Sequence, residues 1–380
     1  MSPARSVWPG VFIGLVLGVA ILLALERGRT PPPRWPEAGP LLSDCDGRMT
    51  ELVIQYLSPS ADICAPAYRA FLPLLPADVT VRVACPAQAD FDDLLKRIGP
   101  VSCRMLPIFT GHAMTCWSRD RWLALTPLER GGPATLLYPT SESAQEAWPA
   151  RRGDARVAEE IAASTPKRSV AFRSRLLFDG GDFVCDSETA FVNPAVIQRN
   201  IPSMVRDEKE LTEELARLLK RRIILLRDAP AHHTEMFMTL LPGKRAVVGD
   251  PAEGLRLAKN HPAASALLAG AGGADESAET QRMFDSVAQE CLAAGYRVTR
   301  LPVLPGLDSR TWLSYGNVVI DNRDGRTLVY MPVYRGAEEL NDAAEKLWRE
   351  CGATVRPVDC TSTYTRFGSL HCLVSIMGRE

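Results

Sequence analysis

Apolar residues recur at helical spacing in five separate segments of the chain. The clearest stripe is Phe91, Leu94, Leu95 and Ile98, at positions i, i+3, i+4 and i+7, and Gly99 follows it. Similar stripes predict further helices around residues 157–162, 211–219, 284–291 and 340–351. Each stripe is followed by a run that predicts a strand, and these runs read RMLPIF, SVAFRSRLLF, IILL, YRVTRLPV and TVRPV.

A cluster of polar residues comes after each strand run, at residues 117–120, 179–182, 232–235, 314–317 and 371–372. Because one such unit cannot bury its own helix and sheet faces, five in succession predict a closed ring of repeats. The runs ELVIQYL and VTVRVA are expected to complete the ring beside the C-terminal LVSIM. A ring would bring equivalent strand starts together, and with them Asp120, Asp179, His233, Glu235 and Cys372.

The first 29 residues differ from the rest of the chain. Residues 6–25 carry no charge, which is about the length of one bilayer crossing, and no small-x-small cleavage site follows them. We therefore predict an N-terminal membrane anchor over residues 1–29, in contact with lipid, and a proline-rich linker over 30–44. A single domain is expected over 45–380. The short N-terminal tail and the spacer favour an extracytoplasmic position for it, although the flanking positive charges leave the orientation open.

Composition narrows the partners that the domain can have. The 44 basic and 45 acidic residues nearly cancel, and no run of Lys or Arg could follow a phosphate backbone, so nucleic acid is not an expected partner. The ten cysteines form no C-x-x-C pair and no zinc-type Cys/His spacing, so no metal is expected. The glycine-rich residues 270–273 lack the Lys-Ser/Thr of a phosphate loop, and no cofactor is expected. The oligomeric state is left open.

Each polar cluster taken alone has an ordinary structural interpretation. Cys372 could be a buried thiol, His233 a hydrogen-bonded core histidine, and residues 179–182 a hairpin turn. Their recurrence at the same place in each unit favours a joint site, because every buried charge needs a partner.

The combination of residue types fits a guanidinium substrate. Carboxylates can accept hydrogen bonds in the plane of this cation, and a thiolate is the side-chain nucleophile best suited to its unreactive central carbon. A histidine can protonate the departing amine and later take a proton from water. His232 and His233 are both candidates for this role. His371 would point to the opposite face of a strand from Cys372, and we interpret it as structural.

Four motifs, in this order, resemble those of the guanidino-group-modifying enzymes, in particular the agmatine deiminase and peptidylarginine deiminase branch. WSRD at residues 117–120 is similar to W-x-R-D, and DGGD at 179–182 to [DE]-G-G-[DN]. HTE at 233–235 is similar to H-x-[DE], and GSLHC at 368–372 to G-x-x-H-C. The resemblance implies an α/β fold, the five-bladed pseudo-symmetric α/β propeller called the pentein fold.

The resemblance also implies roles for individual residues. Those with a part in catalysis would be the nucleophile Cys372, the general acid and base His233, and Asp179, which orients His233. Those that bind substrate would be the clamp of Asp120 and Glu235, together with Arg119, Asp182 and Trp117. The implied activity is a deiminase that forms a ureido product and ammonia through a cysteine thiouronium intermediate.

Two departures from the agmatine deiminase pattern leave the substrate open among free arginine, agmatine and peptidylarginine. RFGS at residues 366–369 lacks the usual glycine run and asparagine, and Glu235 replaces a more frequent Asp. Three alternatives also stand: an amidinotransferase, a cysteine protease, and a non-catalytic, membrane-tethered module that binds arginine-like ligands.

Overall fold

The strands of the protein form five separate sheets in the computed structural model, which describes residues 35, 37–140 and 149–380. The anchor predicted over residues 1–29 lies outside these residues, as does the start of the predicted linker. Within the described ranges, no helix combines the length and the apolar character needed to span a bilayer.

One compact unit comprises Ala38–Glu380. Residues 38–44, which were predicted as part of the linker, belong to this unit. The amide of Leu41 donates to the carbonyl of Leu219 and that of Leu42 to Ala124, both at 2.8 Å, and Asp44 is buried. The linker therefore ends earlier than predicted, because these backbone groups pair with the end of a helix at Leu219 and with a strand at Ala124.

The sheets share one arrangement, in which an antiparallel strand pair is extended by a parallel third strand. Two sheets have four strands and three have three, in the orders β17-β1-β2-β3, β4-β5-β6, β7-β8-β9, β10-β11-β12-β13 and β14-β15-β16. The strands are β1 Met49–Gln55, β2 Thr80–Cys85, β3 Arg104–Phe109, β4 Leu123–Leu125, β5 Ala134–Tyr138, β6 Ser169–Arg173, β7 Phe183–Cys185, β8 Thr189–Val192, β9 Arg222–Leu225, β10 Met238–Leu241, β11 Arg245–Asp250, β12 Arg297–Pro305, β13 Trp312–Ser314, β14 Val319–Arg323, β15 Arg326–Val333, β16 Ala353–Asp359 and β17 Val374–Arg379.

Helices connect the parallel strands, as such crossovers require, and one further short helix lies between two sheets. Those in the described ranges are α1 Ala61–Phe71, α2 Gln88–Ile98, α3 Pro149–Asp154, α4 Val157–Ser164, α5 Pro194–Asn200, α6 Glu208–Leu219, α7 Thr234–Phe237, α8 Pro251–Lys259, α9 Pro262–Ala266, α10 Ala278–Ala293 and α11 Glu338–Glu350. The five predicted helices correspond to α2, α4, α6, α10 and α11, so the periodicity of the apolar residues located them correctly. Their apolar faces are buried; in α6, for example, Leu211, Leu215, Leu218 and Leu219 lie in the interior.

The N- and C-terminal strands meet as the sequence predicted. β1 pairs antiparallel with β17 and parallel with β2. Each polar cluster, moreover, lies just before the first strand of an antiparallel pair. Asp120 precedes β4, Asp179 precedes β7, and Cys372 lies two residues before the start of β17. This shared position is what allows residues distant in sequence to meet.

Candidate active site

A pocket of about 860 Å³ collects residues from four of the polar clusters. The predicted site residues that line it are Trp117, Asp120, Asp179, Asp182, His233 and Cys372. Arg119 and Glu235 do not line it and lie beneath the site. The structure therefore brings six of the predicted site residues together in one pocket and places the other two outside its lining.

Cys372 lies in a single 3-10 turn, His371–Leu373, that leads into β17. Its side chain is buried, with Sγ 3.8 Å from the sulfur of Met236. Burial, together with the carboxylates of Glu235 and Asp120, holds the pKa of the Cys372 thiol well above its usual range. Cys372 is therefore a neutral thiol, and a cation bound beside it would favour the thiolate.

Asn317 holds this turn in place and was missed as a site residue. Its Oδ1 accepts from the amide of His371 at 2.8 Å, and its Nδ2 lies 3.5 Å from the sulfur of Cys372. Nδ2 also donates to the carbonyl of Glu235 at 3.3 Å. The sequence did indicate this role, because Asn317 belongs to the fourth polar cluster, at the position where the other units carry their site residues.

His233 lies between two carboxylates at the start of α7. Its Nε2 is 3.6 Å from Asp179 Oδ2, and its Nδ1 is 3.8 Å from Asp120 Oδ1. Burial disfavours the imidazolium, but the carboxylates of Asp179 and Asp120 outweigh it and raise the pKa of His233 to about 10. His233 is therefore protonated at neutral pH and can donate a proton.

The glycines of the 179–182 cluster make room for this histidine. A Cβ on Gly181 would lie 2.7 Å from His233 Nδ1, closer than real contacts allow. Gly368 has a similar role, since a Cβ there would lie 2.5 Å from the ring of Trp117. Both motifs thus need glycine for close approach to another site residue.

His232 also lines the pocket but has a different environment. Burial lowers its pKa to about 3, and its Nδ1 accepts from the amide of His233 at 2.8 Å. Its Nε2 lies 3.2 Å from the carbonyl of Arg310. A neutral imidazole with both nitrogens engaged by backbone groups is a structural residue.

A buried ion-pair network lies under Cys372. Glu235 Oε2 is 3.1 Å from His371 Nδ1 and 3.2 Å from Arg119 Nε, and Glu235 Oε1 has no hydrogen-bond partner among the described residues. Arg119 also donates to Asp44 at 3.0 Å. His371 therefore faces the Glu235 carboxylate rather than the opposite side of a strand, because a 3-10 turn replaces the strand that was expected.

Asp120 is paired with a cation of the chain itself. Its Oδ2 lies 2.5 Å from Nη1 of Arg151, a residue of α3 that the sequence analysis did not single out. The same guanidinium is 3.4 Å from Asp154 and 3.7 Å from Asp179. Three carboxylates thus surround one guanidinium inside the pocket.

Asp179 and Asp182 form a capping box around the turn between them. Both carboxylates also contact Arg199, with Asp179 Oδ2 at 3.2 Å from Nη1. Although burial opposes ionisation, His233 and Arg121 hold the pKa of Asp179 well below its usual range. Asp179 is therefore an anion beside His233, as an orienting partner must be.

The cysteines other than Cys372 line no part of this pocket. All ten thiols are free, and all but Cys351 are buried. In the described ranges, no three His, Cys, Asp or Glu side chains are arranged to hold a metal ion.

Several solved structures are similar to this chain over most of its length. The agmatine deiminase of Enterococcus faecalis superposes with a TM-score of 0.66 at 12% identity, covering 93% of this chain and 100% of that one. The C. jejuni agmatine deiminase gives 0.65 at 15%, covering 89% and 95%. A candidate peptidyl-arginine deiminase gives 0.65 at 12%, covering 90% and 99%.

No protein-family model and no curated protein sequence matches the chain. At 12 to 15% identity, the structural similarities concern the fold. The chain therefore has the α/β fold, of pentein type, that is found in agmatine deiminases.

Proposed function

We propose that this protein is a hydrolase that acts on a guanidino group, a deiminase with Cys372 as its nucleophile. The observation that carries the proposal is that Cys372, His233 and Asp120 line one pocket. The shared fold supports it, and we propose with it that the five sheets are the five blades of a closed propeller.

The proposed reaction begins when a guanidinium enters beside Cys372 and offsets the carboxylates that hold the pKa of the thiol high, so that the thiol loses its proton to solvent water. The thiolate attacks the central carbon, and the C–N bond to the leaving amine breaks as His233 donates a proton to that nitrogen. A cationic thiouronium remains on Cys372. Water then attacks this carbon, His233 takes a proton from the water, and the C–S bond breaks to release the ureido product and the thiol.

The carboxylates divide between substrate binding and positioning. Asp120 faces the pocket and is proposed to accept hydrogen bonds from the guanidinium, in the place that Arg151 takes in this structure. Glu235, which lies beneath the pocket, raises the pKa of the Cys372 thiol and is proposed to stabilise the cation electrostatically. Arg119, which is buried between Asp44 and Glu235, is a positioning residue rather than a substrate contact.

A turnover assay with a panel of guanidines tests this proposal. Release of ammonia with a ureido product, lost in Cys372→Ala, is the expected result. Transfer of the amidino group to an added amine would make the protein an amidinotransferase, and binding without any product would make it a binding module. A matched control is Cys360→Ala, which removes another buried thiol outside the pocket.

We retain as a separate proposal that residues 1–29 anchor the protein in a membrane, with the 38–380 unit on the extracytoplasmic side. Its basis is the uncharged run of residues 6–25. Fractionation of the full chain and of a variant lacking residues 1–37 tests the anchor. Recovery of the full chain in the soluble fraction would contradict the anchor. Protease access to a tag after Glu380 reports on which side of the membrane the 38–380 unit lies.

A further inference from the structure

The charges that line the pocket are unbalanced toward the positive. Five arginines and three aspartates are among its described lining residues, and neither Glu nor Lys is. The arginines are Arg121, Arg151, Arg199, Arg310 and Arg366, and the aspartates are Asp120, Asp179 and Asp182.

The three aspartates already have cationic partners. Asp120 contacts Arg151, and both Asp179 and Asp182 contact Arg199. A guanidinium that enters beside Cys372 must share these carboxylates. None is left to balance a second positive charge that has no anionic group beside it on the ligand.

Arg310 and Arg366 differ from the other lining arginines. Both are exposed, and within the described part of the chain no carboxylate lies within ion-pair distance of either. Asp308, the acidic residue nearest to Arg310 in sequence, is engaged by the amides of Arg310 and Thr311 and by the Thr311 hydroxyl, at 2.7 to 2.9 Å. These two cations are therefore available to an anion in the pocket.

The side chain of Arg310 packs against the residue next to Arg366, and both arginines line the pocket. The guanidinium carbon of Arg310 lies 4.1 Å from the ring centroid of Phe367, the residue that directly follows Arg366. The Arg310 backbone is also tied to the site, because its carbonyl contacts His232. Two guanidinium groups that line one pocket can bind a carboxylate through several charge-assisted hydrogen bonds.

We propose that Arg310 and Arg366 form an anion subsite, and that the substrate is a guanidino compound with a carboxylate at its other end. This rests on the proposed function for the guanidinium end. A free guanidino amino acid and a peptide ending in arginine share this chemistry. Agmatine does not, because its second group is an ammonium that would meet the two arginines.

Kinetics with matched ligands test the subsite. We expect kcat/KM for L-arginine or for a peptide with C-terminal arginine to exceed that for arginine methyl ester and for agmatine by about tenfold or more. Of L-arginine and the peptide, the substrate that is consumed faster identifies whether the carboxylate comes from a free amino acid or from a peptide terminus. Arg310→Gln and Arg366→Gln should each raise KM for the carboxylate substrate far more than for the ester. Arg326→Gln, an exposed arginine outside the pocket, is the control.

A binding measurement separates this proposal from the proposed function. In Cys372→Ala, which cannot turn over, calorimetry should detect L-arginine, and adding Arg310→Gln or Arg366→Gln should weaken its binding about tenfold. Equal or better use of agmatine, or arginine binding that neither substitution weakens, would overturn the subsite while leaving the guanidine hydrolase intact. Arginine binding that depends on both residues, without turnover of any guanidine by the unaltered protein, would support the subsite and overturn the hydrolase.

Discussion

The guanidinium of Arg151 lies 2.5 Å from the carboxylate of Asp120, so the chain's own cation occupies the carboxylate proposed to bind a substrate cation. Arg151 is mostly buried, and Asp154 and Asp179 are close to the same group. A substrate guanidinium must therefore compete with Arg151 for Asp120, or displace it.

Replacing Arg151 tests this competition. Arg151→Gln should lower KM for guanidines about five- to tenfold, since a neutral amide cannot hold Asp120 as tightly. Steady-state kinetics at fixed pH measure the change. Arg156→Gln is a suitable control, because Arg156 is exposed and pairs with Glu160. Loss of turnover with an unchanged fold would instead make Arg151 part of the reaction.

Neutralising either carboxylate beside Cys372 should make labelling of the thiol faster for a neutral reagent and slower for a cationic one. Glu235 and Asp120 raise the pKa of the thiol, so Glu235→Gln and Asp120→Asn should increase the thiolate fraction. Labelling by neutral chloroacetamide should then become faster, whereas labelling by cationic chloroacetamidine should become slower. We also expect kcat/KM to fall about a hundredfold or more.

Mass spectrometry of the Cys372 peptide over time measures both rates. Glu253→Gln, a surface carboxylate paired with Arg256, is the control. If the labelling rates of both reagents change in the same direction, the carboxylates do not act on Cys372 through their charge.

The stability that His233 contributes should depend on pH. Its pKa is about 10 in the folded protein and about 6.5 in an unfolded chain, so the folded state binds the extra proton between these values. The contribution is complete below about pH 6.5 and is lost as the pH rises toward 10. Denaturant unfolding of the native protein and of His233→Gln should give a difference in unfolding free energy that shrinks over this range. A difference that is constant with pH would contradict the raised pKa.

Removing residues 1–37 should leave a stable unit, whereas removing residues 1–44 should not. The longer deletion removes the hydrogen bonds of Leu41 and Leu42 and the Asp44 partner of buried Arg119. Loss of one partner of a buried ion pair costs about 3–5 kcal/mol. Denaturant unfolding of the two variants measures this difference. Equal stability would mean that residues 38–44 contribute nothing to the unit.

Local periodicity made the helices predictable, because an apolar stripe such as Leu211, Leu215 and Leu218 is recorded in the sequence itself. The position of the site was predictable for a related reason, since each cluster opens an antiparallel strand pair. His371 was misplaced because the apolar run after it suggested an earlier strand start. Its actual 3-10 turn depends on Asn317, which is 54 residues away.

The partners of the site carboxylates could not be predicted from the sequence. Asp44 and Arg119 are 75 residues apart and meet only after folding. Arg151 belongs to a helix without an apolar stripe, and nothing in its local sequence distinguishes it from other surface arginines. Such contacts arise from the packing of separate repeats rather than from any local pattern.

The most direct test of Cys372 as the nucleophile is mass spectrometry of the protein quenched during turnover. We predict an amidino group on Cys372, as a thiouronium, during turnover by the native protein, and slower formation or release of this adduct in His233→Ala, which can neither protonate the leaving amine nor activate water. Chloroacetamidine should modify the same residue in preference to the other nine cysteines, and excess guanidine should protect it. Labelling spread over several cysteines without protection, together with undiminished turnover in Cys372→Ala, would contradict the account.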